Sequence, residues 1–389
     1  MREQLLILSM GRGIPDCWKI QIRRNIRSFV EILLCYNYLK MGFFKEGIKM
    51  RLVSINNVLE GDVLAKTIYD SSGRALLVKG AILTKGMIMN LIKYEITEIY
   101  CSAIGYPTES KEVLYSKVKA QIAEELKTAT KLINQSLISS DELLDIVDGI
   151  VEELITGHDI IIDLVDLHGY DNFTFSHSLN VLLLSIVTGL SMGYPKSKLK
   201  MLGIGAMLHD IGKMLIPIEI LNKPDILTDE EFEIIKKHAI NGYNRSKVFD
   251  ILDVNGRTII LHHHERVDGS GYPDGQRGNE IHEFARIVAV CDVFDAITNA
   301  RPYRRRWSPK EGIEYLFSSC GTHLDFDIVK KFSECIALYP LGSSVRLSNK
   351  TVGFVVENRI NPNRPIVLAN NSIVDLNKEL NITIEDIIL

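Results

Sequence analysis

LGIGAMLHDIGK, residues 202–213, carries no polar side chain from Leu202 to Leu208 and then presents His209-Asp210 just before Gly212. A carboxylate that deep in an apolar run needs a partner, because an unpaired charge is too costly to bury. Neighbouring helical residues point ~100° apart. A metal-binding pair at this spacing must therefore straddle its ions, with the aspartate suited to bridging. Similar residues lie on either side. His177 sits in the apolar run FTFSHSLNVLLLSIVTGL, and Asp292 lies in ARIVAVCDVFDAITN, with Asp295 one turn on. His238 belongs to a helix opened by a Thr228/Glu231 capping box and a Leu227/Phe232 staple. Between them stands the run His262-His263-His264.

Taken singly, these residues have ordinary explanations: His177 alone reads more readily as a buried, hydrogen-bonded histidine than as a ligand, and three successive helical histidines cannot all face one centre. Together they form a pattern, since seven of the ten histidines lie between His177 and Cys291. Imidazole is the commonest metal ligand and carboxylates bridge ions. Two metals about 3.5–4 Å apart are the usual apparatus for hydrolysing phosphate esters. The expectation is a metal-dependent phosphohydrolase.

The composition agrees. The chain has 389 residues, 46% hydrophobic and 24% charged, enough for two or three soluble domains, one of them enclosing a site. A net charge of −4 argues against DNA or RNA as partner, which would need a basic stripe. Six cysteines without a C-x-x-C pair speak against a disulfide framework or a zinc ribbon, and for the cytoplasm. The apolar stretch 28–44 is interrupted by Glu31 and Lys40 and is too short to span a bilayer, which takes ~20 residues. Preceded by Arg23, Arg24 and Arg27, it would suit a surface anchor. The alternative is that residues 1–49 are a leader outside the native fold, with Met50 as the start.

Residues 50–107 read as a small β-rich module: strands at Val63–Ala65, Ala75–Val78 and Ile96–Cys101, with a helix at Thr84–Tyr94. Residues 108–140 form a helical linker, Val113, Leu114, Val118, Ile122, Leu126 and Ile133 recurring at helical spacing. That helix either packs on its own chain or serves a homodimer. Residues 141–338 show almost no alternating strand pattern and are expected to be all-α. Residues 339–389 return to β, with runs at Thr351–Glu357 and Pro365–Leu368. The fold class is mainly α, a helical catalytic domain between two small β-rich modules.

From Phe173 to Leu338 the chain resembles the HD-GYP domain, a branch of the HD phosphohydrolases associated with cyclic di-GMP breakdown. HDIGK stands at His209–Lys213, followed by Ile216-Pro217 and Asn222-Lys223-Pro224. The motif HHExxDGxGYP runs from His263-His264-Glu265 through Asp268-Gly269 to Gly271-Tyr272-Pro273, and DVFDAIT and RPYR come later at Asp292–Thr298 and Arg301–Arg304. The resemblance implies an HD-type helical domain and metal ligands at His177, His209, Asp210, His238, His263, His264 and Asp292, leaving His262 as the spare. Some members place a glutamate four residues before the first ligand histidine, where it helps hold a third metal. Here that position is Phe173. Two divalent ions are therefore expected, Fe or Mn first and Ni or Zn as alternatives. Leu215 and Ile218 replace a small and an acidic residue usual beside the motif, which leaves substrate preference more open than chemistry.

The activity that the resemblance implies is a phosphodiesterase opening cyclic di-GMP to linear pGpG, and on to GMP, by a metal-bridging hydroxide. Asp210 bridges, and Lys213 meets a phosphate or the leaving oxygen. Arg301, Tyr303 and Arg304 hold the second phosphate or a guanine edge, since a guanidinium fork suits phosphate. The alternatives are hydrolysis of another cyclic dinucleotide, such as cyclic GMP-AMP, and an inactive receptor or scaffold. The Gly271-Tyr272-Pro273 loop either shapes the site edge or meets a protein partner.

Overall fold

The computed structural model describes residues 50–69, 75–94, 96–102, 140–156, 173–223, 225–248, 252–298, 307–358, 361–370 and 372–388. The leader 1–49, all but the last residue of the 108–140 helix, and Arg301, Tyr303 and Arg304 lie outside the described residues. The site is carried by α2 (Ser140–Thr156), α3 (Phe173–Ser191), α4 (Lys196–Leu208), α5 (Ile218–Leu221), α6 (Asp229–Ser246), α7 (Val254–His262), α8 (Glu283–Thr298), α9 (Pro309–Ser318) and α10 (Phe326–Ser333), after a first helix α1 (Lys85–Lys93). No strand interrupts these helices among the described residues, in keeping with a mainly α fold. No helix among the described residues is long and apolar enough to cross a membrane.

Two helices are hydrophobic all round, and that makes them central. In α3, Val181, Leu182, Leu183, Leu184, Ile186 and Val187 are all buried, whichever face they occupy. In α8 the same is true of Phe284, Ala285 and every residue from Ile287 to Cys291, and Phe294 packs edge-on against Phe332 of α10 at 4.8 Å. The outer helices depend on their caps instead. Thr228 accepts from Glu231 N–H and the Glu231 side chain accepts in return, as expected from the sequence, with Asp229, Glu230 and Glu231 favouring the positive end of α6. Ser308 and Glu311 repeat the device on α9, and Asp253 and Asp325 cap α7 and α10.

Glycine permits two close approaches near His209-Asp210. A Cβ on Gly205 of α4 would come within 2.4 Å of Ile259 on α7. At Gly212 it would lie 1.9 Å from the His238 carbonyl oxygen and 2.6 Å from Gly242 N. The turn after His209-Asp210 thus rests directly on the backbone of α6, which brings His238 to the same place.

The N-terminal β region pairs β1 (Met50–Ser54) antiparallel with β4 (Glu98–Ser102), and β2 (Ile68–Tyr69) with β3 (Ala75–Leu77). Thr84 caps α1 as expected. Val63–Ala65 differs from the expectation, forming bridges and no strand. Its backbone divides its bonds between two partners: Leu64 N–H donates to Ala81, while Ala65 N–H donates to Tyr100. After Tyr339, strands β5 (Ser344–Leu347), β6 (Val352–Glu357), β7 (Ile366–Ala369), β8 (Ser372–Asp375) and β9 (Ile384–Ile388) form one antiparallel sheet in the order β8-β7-β6-β5-β9. Val345, Leu347, Val355, Val367 and Leu376 fill its inner face. The two β regions touch, since Leu52 N–H donates to the Gly342 carbonyl at 3.4 Å.

Adding a methyl at Gly212 is expected to cost at least about 2 kcal/mol, the scale of overpacking in a close-packed interior. Gly149 of α2, where a Cβ meets nothing within 4 Å, should instead gain up to ~1 kcal/mol from helix propensity. Melting midpoints of Gly212→Ala and Gly149→Ala should therefore move in opposite directions. A Gly212→Ala protein melting like the wild type would contradict the close approach.

Candidate metal centre

The seven candidate side chains converge. Ligand atoms of Asp210, His238, His263 and His264 form one group and those of His177, His209 and Asp292 another, each within 4.8 Å of its fellows. Asp210 joins the two. Its Oδ1 lies 3.5 Å from His238 Nε2 and 3.8 Å from His263 Nε2, while Oδ2 lies 3.4 Å from His209 Nε2 and 3.7 Å from His177 Nε2. His177 Nε2 is also 3.1 Å from Asp292 Oδ1. Most of these separations are too long for good hydrogen bonds. They suit donors sharing an ion: ligands ~2.0–2.2 Å from a metal stand about 3.0–3.5 Å from one another.

Helix ends, more than helix faces, produce this convergence. α4 stops at Leu208, so His209 caps it and Asp210 begins a tight 3₁₀ turn, Ile211–Leu215, carrying Lys213. His209 and Lys213 are therefore joined by a tight turn and not by a continuous α-helix. α7 likewise ends at His262, with His263 as its cap. The chain turns at once, and His263 and His264 reach one centre while His262 faces away to Asp274 Oδ2 at 2.8 Å. His238 comes from the middle of α6, and Asp292 from α8.

The imidazoles are oriented for lone-pair donation. Nδ1 of His209 lies 2.7 Å from the Ala206 carbonyl, Nδ1 of His238 2.7 Å from that of Ile235, and Nδ1 of His263 3.1 Å from that of Ile260. A carbonyl only accepts, so each Nδ1 carries the proton and each Nε2 presents a lone pair. His238 Nε2 and His263 Nε2 consequently face each other at 3.4 Å with no proton between them. His209 Nε2 and Asp210 Oδ1 are buried without any hydrogen-bond partner. Orphaned acceptors in a dry site are what a divalent cation would satisfy.

Electrostatics supports this. Burial holds His238 and His263 below the ordinary histidine range and lowers His264 to about 3, so all three are neutral at neutral pH. Burial would raise the Asp210 carboxyl, but the charge of Lys213 outweighs it and holds it well below the usual range. For His177 burial favours the neutral ring, yet bonds to Asp292 and Asp295 prevail and raise it to about 10.

Asp295, marked in the sequence only by lying one turn past Asp292, has a clear task. It is 1% exposed, and its Oδ2 accepts from His177 Nδ1 at 2.7 Å while Oδ1 accepts from Asn180 at 2.8 Å. Such a carboxylate behind a histidine fixes the ring and raises its basicity. The available signal was an acid inside an apolar helix; Asn180 had none beyond lying one turn from His177. Leu215 and Ile218, whose identities depart from the motif, are exposed beside Lys213. Asp295→Ala is expected to weaken divalent-ion binding about 10–100-fold, measured by competition with a chromophoric chelator. Unchanged affinity would remove Asp295 from the site.

With the geometry established, similarity gives it a context. Residues 163–328 match the family model described as HD domain. The chain is 36% identical over 247 residues to the cyclic di-GMP phosphodiesterase PA4108 of Pseudomonas aeruginosa, covering 63% of this chain and 58% of that protein. It is 40% identical over 150 residues to the cyclic di-GMP phosphodiesterase response regulator RpfG of Xanthomonas campestris pv. campestris, covering 36% and 39%. To the 3'3'-cGAMP-specific phosphodiesterase 1 of Vibrio cholerae it is 36% identical over 194 residues, covering 47% and 43%. The chain thus spans less than two thirds of the length of each. The matched segment, its HHE-to-GYP run and its cluster of imidazoles and carboxylates identify residues 163–328 as an HD domain of the HD-GYP type.

Proposed function

We infer that this chain is a metal-dependent phosphodiesterase for cyclic dinucleotides, opening cyclic di-GMP to linear pGpG. One observation carries the reading: Asp210 stands between two groups of donors with one carboxylate oxygen toward each. That is the placement of a carboxylate shared by two ions. The ligand set is then His177, His209, Asp210, His238, His263, His264 and Asp292, with Fe or Mn preferred for donors of imidazole and carboxylate type. When bound, such ions supply Lewis acidity and an activated water near neutral pH.

The protein's own residues do the rest. Lys213 pairs with Asp210 Oδ2 and keeps part of its side chain exposed, so it holds the carboxylate in place and offers positive charge to a phosphodiester. His177 is fixed by Asp295, and His209, His238 and His263 by backbone carbonyls, so no reorganisation is needed when substrate arrives. Arg301, Tyr303 and Arg304 would hold the second phosphate or a guanine edge. Residues 141–338 would be the catalytic domain, between β modules at 50–107 and 339–389 and after the 108–140 linker, in the cytoplasm. The linker helix would serve self-association, and the exposed rim of the 271–273 loop a protein contact.

A second reading is hydrolysis of a mixed cyclic GMP-AMP dinucleotide. The similarity to a protein named as specific for 3'3'-cGAMP favours it, as do the departures at Leu215 and Ile218. A receptor without activity is disfavoured by the complete donor set.

The test is to purify the protein without air, load it with Mn²⁺ or Fe²⁺, and resolve the products from each cyclic dinucleotide. Conversion of cyclic di-GMP to pGpG is expected. Turnover confined to cyclic GMP-AMP would transfer the assignment, and binding without turnover at full metal occupancy would end it. Asp210→Ala should lose tight metal binding and at least about 10³-fold in rate, because metal stabilisation of the transition state is worth several kcal/mol. Wild-type rates in that variant would refute the site.

A further inference from the structure

Four of the five histidines in the centre have their Nδ1 held from behind, by a backbone carbonyl at His209, His238 and His263 and by Asp295 at His177. His264 differs. Among the described residues its ring is held by other rings alone: His263 at 4.1 Å, His238 at 5.0 Å and Tyr272 at 4.9 Å. Of these, Tyr272 lies nearly parallel to it, the planes 30° apart. Tyr272 belongs to a glycine-rich loop that has no helix or sheet to fix it, so something else must.

That role falls to Glu265, a carboxylate with no place in the metal centre. It is 2% exposed, directly follows His264, and points into the loop. Its Oε1 accepts the N–H groups of Asp274 at 2.7 Å and Gly275 at 3.1 Å, and its Oε2 accepts that of Gln276 at 3.1 Å. Three backbone donors on one carboxylate close the loop into a ring around it. Other contacts keep the ring shut. His262 pairs with Asp274 at 2.8 Å, Asp268 bridges to Arg277, and Tyr272 N–H donates to the His264 carbonyl at 3.3 Å. At Gly271 the loop lies so close that a Cβ would meet Glu265 Cα at 2.5 Å and the His264 carbonyl oxygen at 2.6 Å. Tyr272 is therefore carried back over the residue that precedes the clasp.

We propose that Glu265 is a positioning residue for the metal centre: by folding the 266–277 loop onto itself it lays the Tyr272 ring against His264 and fixes that imidazole, where the other histidines are fixed by hydrogen bonds. The inference rests on reading His264 as a metal donor, and it assigns the loop to the centre as a fixed wall. The ring of Tyr272 supplies the restraint, so its hydroxyl is dispensable for this task.

The experiment uses the full chain loaded with Co²⁺, reading the visible spectrum and Co²⁺ affinity without any substrate, beside melting of the metal-free protein. Glu265→Ala and Tyr272→Ala should both alter the spectrum and weaken one Co²⁺ about 10–100-fold, the usual effect of losing a group that orients a ligand. Tyr272→Phe, which keeps the ring, should match the wild type. His264→Ala is the reference for loss of the donor itself. If His264→Ala changes the spectrum and Glu265→Ala does not, the positioning role is overturned and the ligand assignment survives. An unaltered spectrum in His264→Ala would overturn the ligand assignment instead. Should Tyr272→Phe be as damaged as Tyr272→Ala, the hydroxyl and not the ring is what matters, and the proposal fails. Wild-type protein that binds Co²⁺ normally yet hydrolyses no cyclic dinucleotide would sink the functional reading and leave this one standing.

Discussion

A carboxylate with almost no access to water, faced by the lone pairs of His209, His238 and His263, is the constraint around which this protein is built. Asp210 is ionised in an apolar interior because the Lys213 charge beside it outweighs the cost of its desolvation. Burying such a charge is tolerable only with opposite charge close by. The fold therefore has to deliver donors from α3, α4, α6, α7 and α8 to one point, and hold them there against their own repulsion. The largely apolar α3 and α8 make that feasible, because helices buried over most of their length are the least free to shift.

Much of this was legible in the chain. The convergence of seven imidazole and carboxylate side chains, the capping box of α6 and the mainly helical character of the described residues between 141 and 338 could be read because each has a local signature: residue type, spacing or a pair of capping side chains. His209-Asp210 announces itself since a charge in an apolar run has few explanations. The histidine run was legible in part. Helical geometry forbids three neighbours from sharing a centre, and the protein resolves this by ending α7 at His262, so that only two turn inward.

What could not be read depends on partners distant in sequence. Asp295 is an acid in an apolar helix whose meaning appears only when His177, from another helix, is beside it. Glu265 gives no sign, from its own neighbours, that its ligands are backbone N–H groups some ten residues ahead. Val63–Ala65 has a strand's composition, but it shares its bonds between two segments and pairs fully with neither. In each case local propensity was overruled by where another part of the chain came to rest.

The backbone bond from Leu52 to Gly342 joins a residue near the start of the first β region to one near the start of the second, with every helix that carries the candidate centre between them in sequence. Between these two residues the chain makes one long excursion that returns to where it left. A strain imposed on either β region therefore has a backbone contact through which it can reach the other without crossing the helices.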